Sequence, residues 1–297
     1  GGDYWMIQMA IDDSSDGDVV QVLPGEYVEN VVLKEGVDVV GAGAAETTIR
    51  SLSESFPFAG VVGKNNVTLS GFAVTGGYYG VHCTGASPTI TDCVVWRNAH
   101  SGILLESSSP EISRCVVVQN PRYGVQCLDS SSPVMSNCTF SANGCGVSAA
   151  SSAPLLSNCI LWDNGEDLEG ITEEGSVGHC DIEDGDFAGD NGNISANPAF
   201  IAWVSFNDSD SELFVDVGYT GSQQGTQVNP FSSIKSALSV YSYHLGAESP
   251  CLSAGAGGVH NARHNVVMVS VKENRISGFF RAAMSQKNSR GRAAACP

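Results

Sequence analysis

Four blocks of the chain align without a gap: SPTITDCVVWRN (87–98), SPEISRCVVVQN (109–120), SPVMSNCTFSAN (132–143) and APLLSNCILWDN (153–164). Pro88, Pro110, Pro133 and Pro154 coincide, as do Cys93, Cys115, Cys138 and Cys159, and Asn98, Asn120, Asn143 and Asn164. A second apolar run repeats between them, at Gly80-Val81, Gly102-Ile103, Gly124-Val125 and Gly146-Val147. A period of about 22 residues marks a solenoid, whose coils bury their apolar faces only by stacking on one another.

Ile90-x-x-Cys93-x-Val95-x-x-Asn98 also matches the opening of a leucine-rich repeat, which closes each turn with a helix or a 3₁₀ turn. The second halves here are GILLESSS, GVQCLDSSS and GVSAASSA. Gly, Ser and β-branched residues suit strands and turns better than helices. The fold class expected is all-β: a parallel β-helix of short strands and tight polar corners. Leu69, Phe72 and Val74 take the places of Ile90, Cys93 and Val95, so regular coils are expected from about Asn66, with an irregular segment over 47–63. Val177, Cys180 and Ile182 carry the register one turn further.

Working outward, IQMAIDD predicts a capping helix that places Ile7, Ala10 and Ile11 on one face and stops at Ser14. A solenoid end needs such cover. The stretch IQMAIDDSSDGDVVQVLPGEYVENVVLKEGVDVVGAG (7–43) resembles the opening of the right-handed parallel β-helix proteins of the pectin-lyase-like superfamily. The coils at 88–164 resemble the same superfamily's generic repeat. The resemblance implies a right-handed coil, often secreted and often acting on or binding polysaccharide; it does not by itself imply catalysis.

The domain organisation read from the chain is a β-helix with its N-terminal cap over 1–196, a C-terminal cap with a strand–loop–helix insert over 197–256, and a basic tail over 257–297. The apolar run VVMVSV (266–271) is a strand candidate in that tail, and SQKNSRGRAAACP (285–297) reads as disordered.

Charge is unevenly divided. Residues 1–260 hold 7 basic and 31 acidic side chains, a formal −24, whereas 261–297 hold 7 basic and 1 acidic. So acidic a body repels phosphates, which argues against a nucleic-acid partner, and it repels polyuronates unless cations bridge the two. No apolar run approaches the ~20 residues that span a bilayer. The opening GGDYWMIQMAID has no basic n-region and apolar h-region, so no signal peptide is read there. Localisation at the cell surface or outside the cell is implied by the resemblance, and oligomeric state is left open.

Five of the ten cysteines (Cys93, Cys115, Cys138, Cys159, Cys180) recur once per coil at inward positions. Rungs ~4.8 Å apart with parallel side chains do not match disulfide geometry, so a buried ladder of free thiols is expected. Cys145, Cys251 and Cys296 fall outside that register.

On a solenoid with a packed interior, chemistry must sit on outward columns. The first is Asp92, Arg114, Asn137, Asn158 and His179; Asp92, Arg114 and His179 are the catalytic candidates, with Asp92 and Arg114 within salt-bridge reach. The resemblance implies lyase sites with several carboxylates holding Ca²⁺ beside an Arg or Lys base, or hydrolase sites with clustered aspartates, and this column supplies one carboxylate. The second column is Trp96, Val118, Ser141 and Trp162, beside Val94, Val116, Thr139 and Ile160. Strands apolar on both faces imply a covered outer face; alternatively Trp96 and Trp162, ~14 Å apart, stack on sugars. His82 and Arg97, with Tyr78, Tyr79 and Arg122, are further substrate-binding candidates. The third feature is acidic: residues 163–193 hold eleven carboxylates and no Lys or Arg. Asp181, Glu183, Asp184, Asp186 and Asp190 lie in a Gly-rich stretch that supplies oxygen ligands for Ca²⁺, although their spacing departs from an EF-hand loop.

Three functions follow from these columns. The first is a non-catalytic, extracellular module that binds polysaccharide or a cell-surface glycan. The second is a diverged polysaccharide lyase or hydrolase acting on acidic glycans, with Ca²⁺ as its cofactor. The third is a structural solenoid of a larger protein. The missing base–carboxylate constellation argues against the second, the two-sided apolar strand serves the first and the third alike, and the first is the reading adopted.

Overall fold

A computed structural model of the chain describes residues 4–198 and the backbone of two further strands, Val266–Val269 and Gly278–Arg281, which pair antiparallel. The strand expected in VVMVSV is therefore present. Apart from Asn197 and Pro198, the cap and insert expected over 197–256 lie outside the described residues, as does the stretch 285–297 expected to be disordered. Residues 19–182 form a right-handed parallel β-helix with three parallel sheets, A, B and C.

Sheet A stacks eight strands, from Val19–Val22 to Val177–Gly178; sheet B stacks eight, from Gly25–Val28 to Asp181–Ile182; sheet C stacks seven, from Val31–Val32 to Leu168–Glu169. Most of these strands hold only two to four residues, too few to persist alone, so each is stable only as a rung between neighbours. The register is the one the repeats predict: Leu69, Ile90, Ile112, Met135 and Leu156 form one continuous column. The irregular segment expected over 47–63 needs correction. Thr47–Arg50 and Ala59–Val62 are ordinary rungs of sheets B and C. An inserted loop, residues 51–58, separates them and breaks the spacing on which a sequence alignment depends.

Three corners turn each coil. Between sheets A and B one residue per rung is left-handed (Gly71, Asp92, Arg114, Asn137, Asn158, His179), with φ between 53° and 77°. That conformation costs an L-residue roughly 1–2 kcal/mol, and Asn and Asp bear it best. The residue after it points inward, which places the cysteines. All eight cysteines of the described region are free and buried, the five of the expected ladder among them. The thiols of Cys93, Cys115, Cys138 and Cys159 donate weakly to carbonyls of their own and the preceding rung, as Cys115 Sγ does to Ser113 O (3.3 Å) and Ile90 O (3.6 Å). Burial pushes the Cys115 and Cys138 thiols well above their ordinary value, so they behave as small apolar groups.

Between sheets B and C the asparagines form a second inner ladder. Asn98, Asn120 and Asn143 are buried. Each donates from both its backbone N–H and its Nδ2 to the side-chain oxygen of the next asparagine, at 3.0 or 3.1 Å. Asn120 Nδ2 also reaches Val95 O and Val118 O. The buried asparagine amides of this corner are thus supplied with partners, as a dry interior demands. The third corner carries a serine ladder, in which Ser108 N donates to Ser131 Oγ and Ser109 N to Ser87 Oγ.

The ends are closed by specific bonds. Helix α1, Ile7–Asp13, buries Ile7 and Ile11 against the first coil. Its first backbone donors, Ile7 N and Gln8 N, bond the buried carboxylate of Glu29 at 2.8 and 3.0 Å, which satisfies the orphan N–H groups of the helix start. The Gln8 amide pairs with both backbone groups of Val32, the exposed edge of sheet C. The I-Q-x-A-I and Tyr-x-Glu-Asn elements of the opening are therefore two halves of one cap. At the other end Asp181 accepts from Ala196 N (2.9 Å) and Asn193 accepts from Cys180 N (2.9 Å). Among the described residues no helix is long and apolar enough to cross a membrane.

Candidate functional site

The outer face of sheet C gathers rings, titratable groups and an open depression. Residues Tyr79, Ser101, Tyr123 and Cys145 form one column across adjacent rungs, each just before the glycine of its strand. Tyr78 and His100 precede it by one position on the same corner. The inserted loop 51–58, tethered where Leu52 N donates to Asn30 Oδ1 (3.2 Å), adds Phe56. Tyr78 stacks on His100 with centroids 4.9 Å apart and meets Phe56 edge-on at 5.6 Å. Tyr79 touches His82 at 5.3 Å, and His100 touches Tyr123 at 5.8 Å. The result is a belt of six rings over three rungs, with Arg122 lying 5.9 Å from the Tyr123 centroid.

Electrostatics within this belt are set by burial and by neighbours. Burial, and then Arg122, hold His100 below its ordinary pKa, so its imidazole is neutral at pH 7 and stacks without desolvating a charge. Burial, followed by Tyr78 and Glu106, raises Tyr79. His82 Nε2 lies 2.7 Å from Glu106 Oε2, and Thr84 Oγ1 is within 3.1 Å of both. One wall further on, Pro121, Arg122, Tyr123, Gly144, Cys145, Glu166 and Glu169 line a depression of about 600 Å³.

The expected residues divide among different places. Asp92 and Arg114 are brought together: Arg114 Nε and Nη2 reach the two Asp92 oxygens at 3.1 and 2.7 Å. His179 stands on the same corner three rungs beyond Arg114, next to Gly192. Trp96 and Trp162 are in register three rungs apart on sheet B. The residues between and beside them, Val94, Val116, Val118, Thr139, Ser141 and Ile160, are buried although they face outward. The outer face of sheet B is closed, as its two-sided apolar pattern predicts. Arg97 belongs to this face and not to sheet C: its guanidinium sits 5.2 Å from the Trp96 ring and its Nε donates to Gln119. His82 joins Tyr78 and Tyr79, whereas Phe56, His100 and Tyr123 were not among the candidates.

Three of the five acidic candidates are engaged in closing the last coils. Asp181 is buried and accepts from Ala196 N, Glu183 accepts from Asp163 N (2.5 Å), and Asp184 accepts from Asp167 N (2.8 Å). Asp167 returns the bond, accepting from Asp184 N (3.1 Å), and ends the asparagine ladder by accepting from Asn164 Nδ2 (2.8 Å). Asp186 and Asp190 are exposed. Among the described residues no three His, Cys, Asp or Glu side chains converge as a metal site requires.

Comparison with known proteins places this geometry in context. The family described as right handed beta helix region matches residues 36–195. A 97-residue stretch, 32% of this chain, is 31% identical to a "Cell surface glycoprotein" of Methanothermus fervidus and spans 15% of that relative's length. Among solved structures, a pectin methylesterase from Yersinia enterocolitica superposes with a TM-score of 0.43 at 13% identity, covering 60% of this chain and 70% of that one. A tailspike protein from Acinetobacter baumannii bacteriophage Fri1, a capsular polysaccharide depolymerase, superposes with a TM-score of 0.45 at 16% identity, covering 56% and 40%.

Proposed function

Starting from the premise that the chain belongs to the right-handed β-helix family, we propose that it is a non-catalytic glycan-binding module of the cell surface or extracellular space, with sheet C as its binding face. The observation that carries this reading is the ring belt beside an open depression. Aromatic rings offer apolar faces to the C–H side of a sugar, while flanking polar groups take its hydroxyls. Sheet B is the weaker candidate because its two rings, Trp96 and Trp162, stand three rungs apart with Val118 and Ser141 between them, whereas the rings of sheet C adjoin one another. The 31% identity to a relative named a cell surface glycoprotein supports the location.

Asp92, the carboxylate of the first outward column, is held bidentate by Arg114 in a corner, with no second carboxylate in that column. A diverged lyase or hydrolase is the second reading, favoured by one observation: the half-buried His82–Glu106 pair can hold and pass a proton. A glycan array probed with the intact chain tests the first reading, and retention of a defined set of oligosaccharides is expected. Release of unsaturated or reducing ends from a bound polymer, lost in His82→Ala, would establish the second instead.

A further inference from the structure

We infer that the depression between Tyr123 and Glu169 is a subsite for an uncharged sugar residue and that it rejects uronates; this rests on the glycan-binding reading of sheet C. The depression exists because the Tyr79–Ser101–Tyr123–Cys145 column shrinks from a tyrosine to a cysteine in one rung. Its floor is fixed. A Cβ on Gly144 would lie 2.4 Å from Pro121 O and 2.6 Å from Arg122 O, so only glycine lets the rungs pass this closely.

The walls differ in chemistry. On one side stand the Tyr123 ring and Arg122, a single cation already placed against that ring. On the other stand Glu166 and Glu169, and Glu169 Oε2 is oriented by accepting from Ser148 Oγ at 2.7 Å. A neutral sugar fits all three: its C–H face lies on Tyr123, its hydroxyls donate to the two carboxylates, which only accept, and its oxygens accept from the guanidinium, which only donates. A uronate adds a negative charge beside two glutamates and one cation, on a chain of formal net charge −18. Like charges at contact distance outweigh the single Arg122 contact, so a uronate is disfavoured by about tenfold or more at low salt.

Affinity electrophoresis of the intact chain through gels containing hydroxyethylcellulose or polygalacturonate, with EDTA and at low salt, tests this. Retardation by the neutral polymer is expected, with at least tenfold weaker retardation by polygalacturonate. Glu166→Gln combined with Glu169→Gln is expected to narrow that ratio while thermal unfolding stays cooperative. Equal or stronger retardation by polygalacturonate, or an unchanged ratio in the double variant, overturns the subsite and leaves glycan binding standing. Retardation by neither polymer, from chain that is folded by circular dichroism, removes glycan binding itself and this inference with it.

Discussion

Arg114 reaches across one rung to hold both oxygens of Asp92, at 3.1 and 2.7 Å, and both residues sit in the left-handed conformation at the A–B corner. The pair is partly exposed, with side-chain accessibilities of 44% for Arg114 and 28% for Asp92. Exposed pairs contribute about 0–1 kcal/mol, and a left-handed backbone suits Asn better than Arg. Arg114→Asn, which matches Asn137 and Asn158 on the next rungs, is therefore expected to change stability by less than about 1 kcal/mol in urea unfolding. Glycan binding is expected to stay the same; loss of binding in this variant would move the site to the A–B corner.

Asn120 presents the opposite case. Its side chain accepts from Asn98 and donates to Asn143, Val95 and Val118 inside the coil. Asn120→Ala strands several buried donors and acceptors at once. A loss of about 3 kcal/mol or more is expected, read from the urea midpoint at unchanged slope. A loss below 1 kcal/mol would mean that the ladder is not dry.

The buried thiols give a chemical readout. In a Cys251→Ser, Cys296→Ser background, the remaining eight cysteines are expected to be unreactive toward a thiol reagent at pH 8 until the chain is unfolded, because all eight are buried and the reagent cannot reach their sulfurs. Cys115→Val is expected to cost less than about 1.5 kcal/mol, since a small apolar group replaces another of similar size. Rapid modification of the native chain would place the Cys column at the surface.

Two groups make stability depend on pH in opposite senses. Burial pushes Asp167 up to about 6, so the folded chain holds this proton where the unfolded chain has released it, near 3.9. The contribution is favourable at low pH and is lost as the pH rises from about 4 to about 6. Asp167→Asn is therefore expected to gain stability relative to the parent over that window, measured as the difference in Tm at pH 4.5 and 6.5. His100 is held below its ordinary value, so the unfolded chain is protonated first as the pH falls through about 6.5, and acidification there destabilises the fold. His100→Phe is expected to remove that part of the acid loss.

How much of this was legible in the sequence depends on whether residue type or only position repeats. Cys93, Cys115, Cys138 and Cys159 and the matching asparagines repeat in type, because an interior column admits one size and one hydrogen-bond pattern; the fold, register and thiol ladder were therefore readable. The ring belt repeats only in position. Tyr79, Ser101, Tyr123 and Cys145 share a place before Gly80, Gly102, Gly124 and Gly146, but an outward column accepts any side chain. That position before each glycine was the available signal. Phe56 was hidden further because it arrives on an insertion that breaks the period. Arg97 was grouped with His82 as a substrate-binding candidate, yet the B–C corner separates them. The acidic stretch was visible as composition, but its partners are backbone amides of the last coils, and no side-chain spacing encodes those.

The assignment of sheet C as the binding face is tested most directly by hydrogen–deuterium exchange of the intact chain with and without a saturating oligosaccharide taken from the array. Protection confined to peptides covering residues 77–84, 100–106, 121–128, 144–149 and 165–169 is the predicted result. Protection centred on 94–97 and 160–163, with sheet C unchanged, would contradict it and assign binding to the tryptophan face of sheet B.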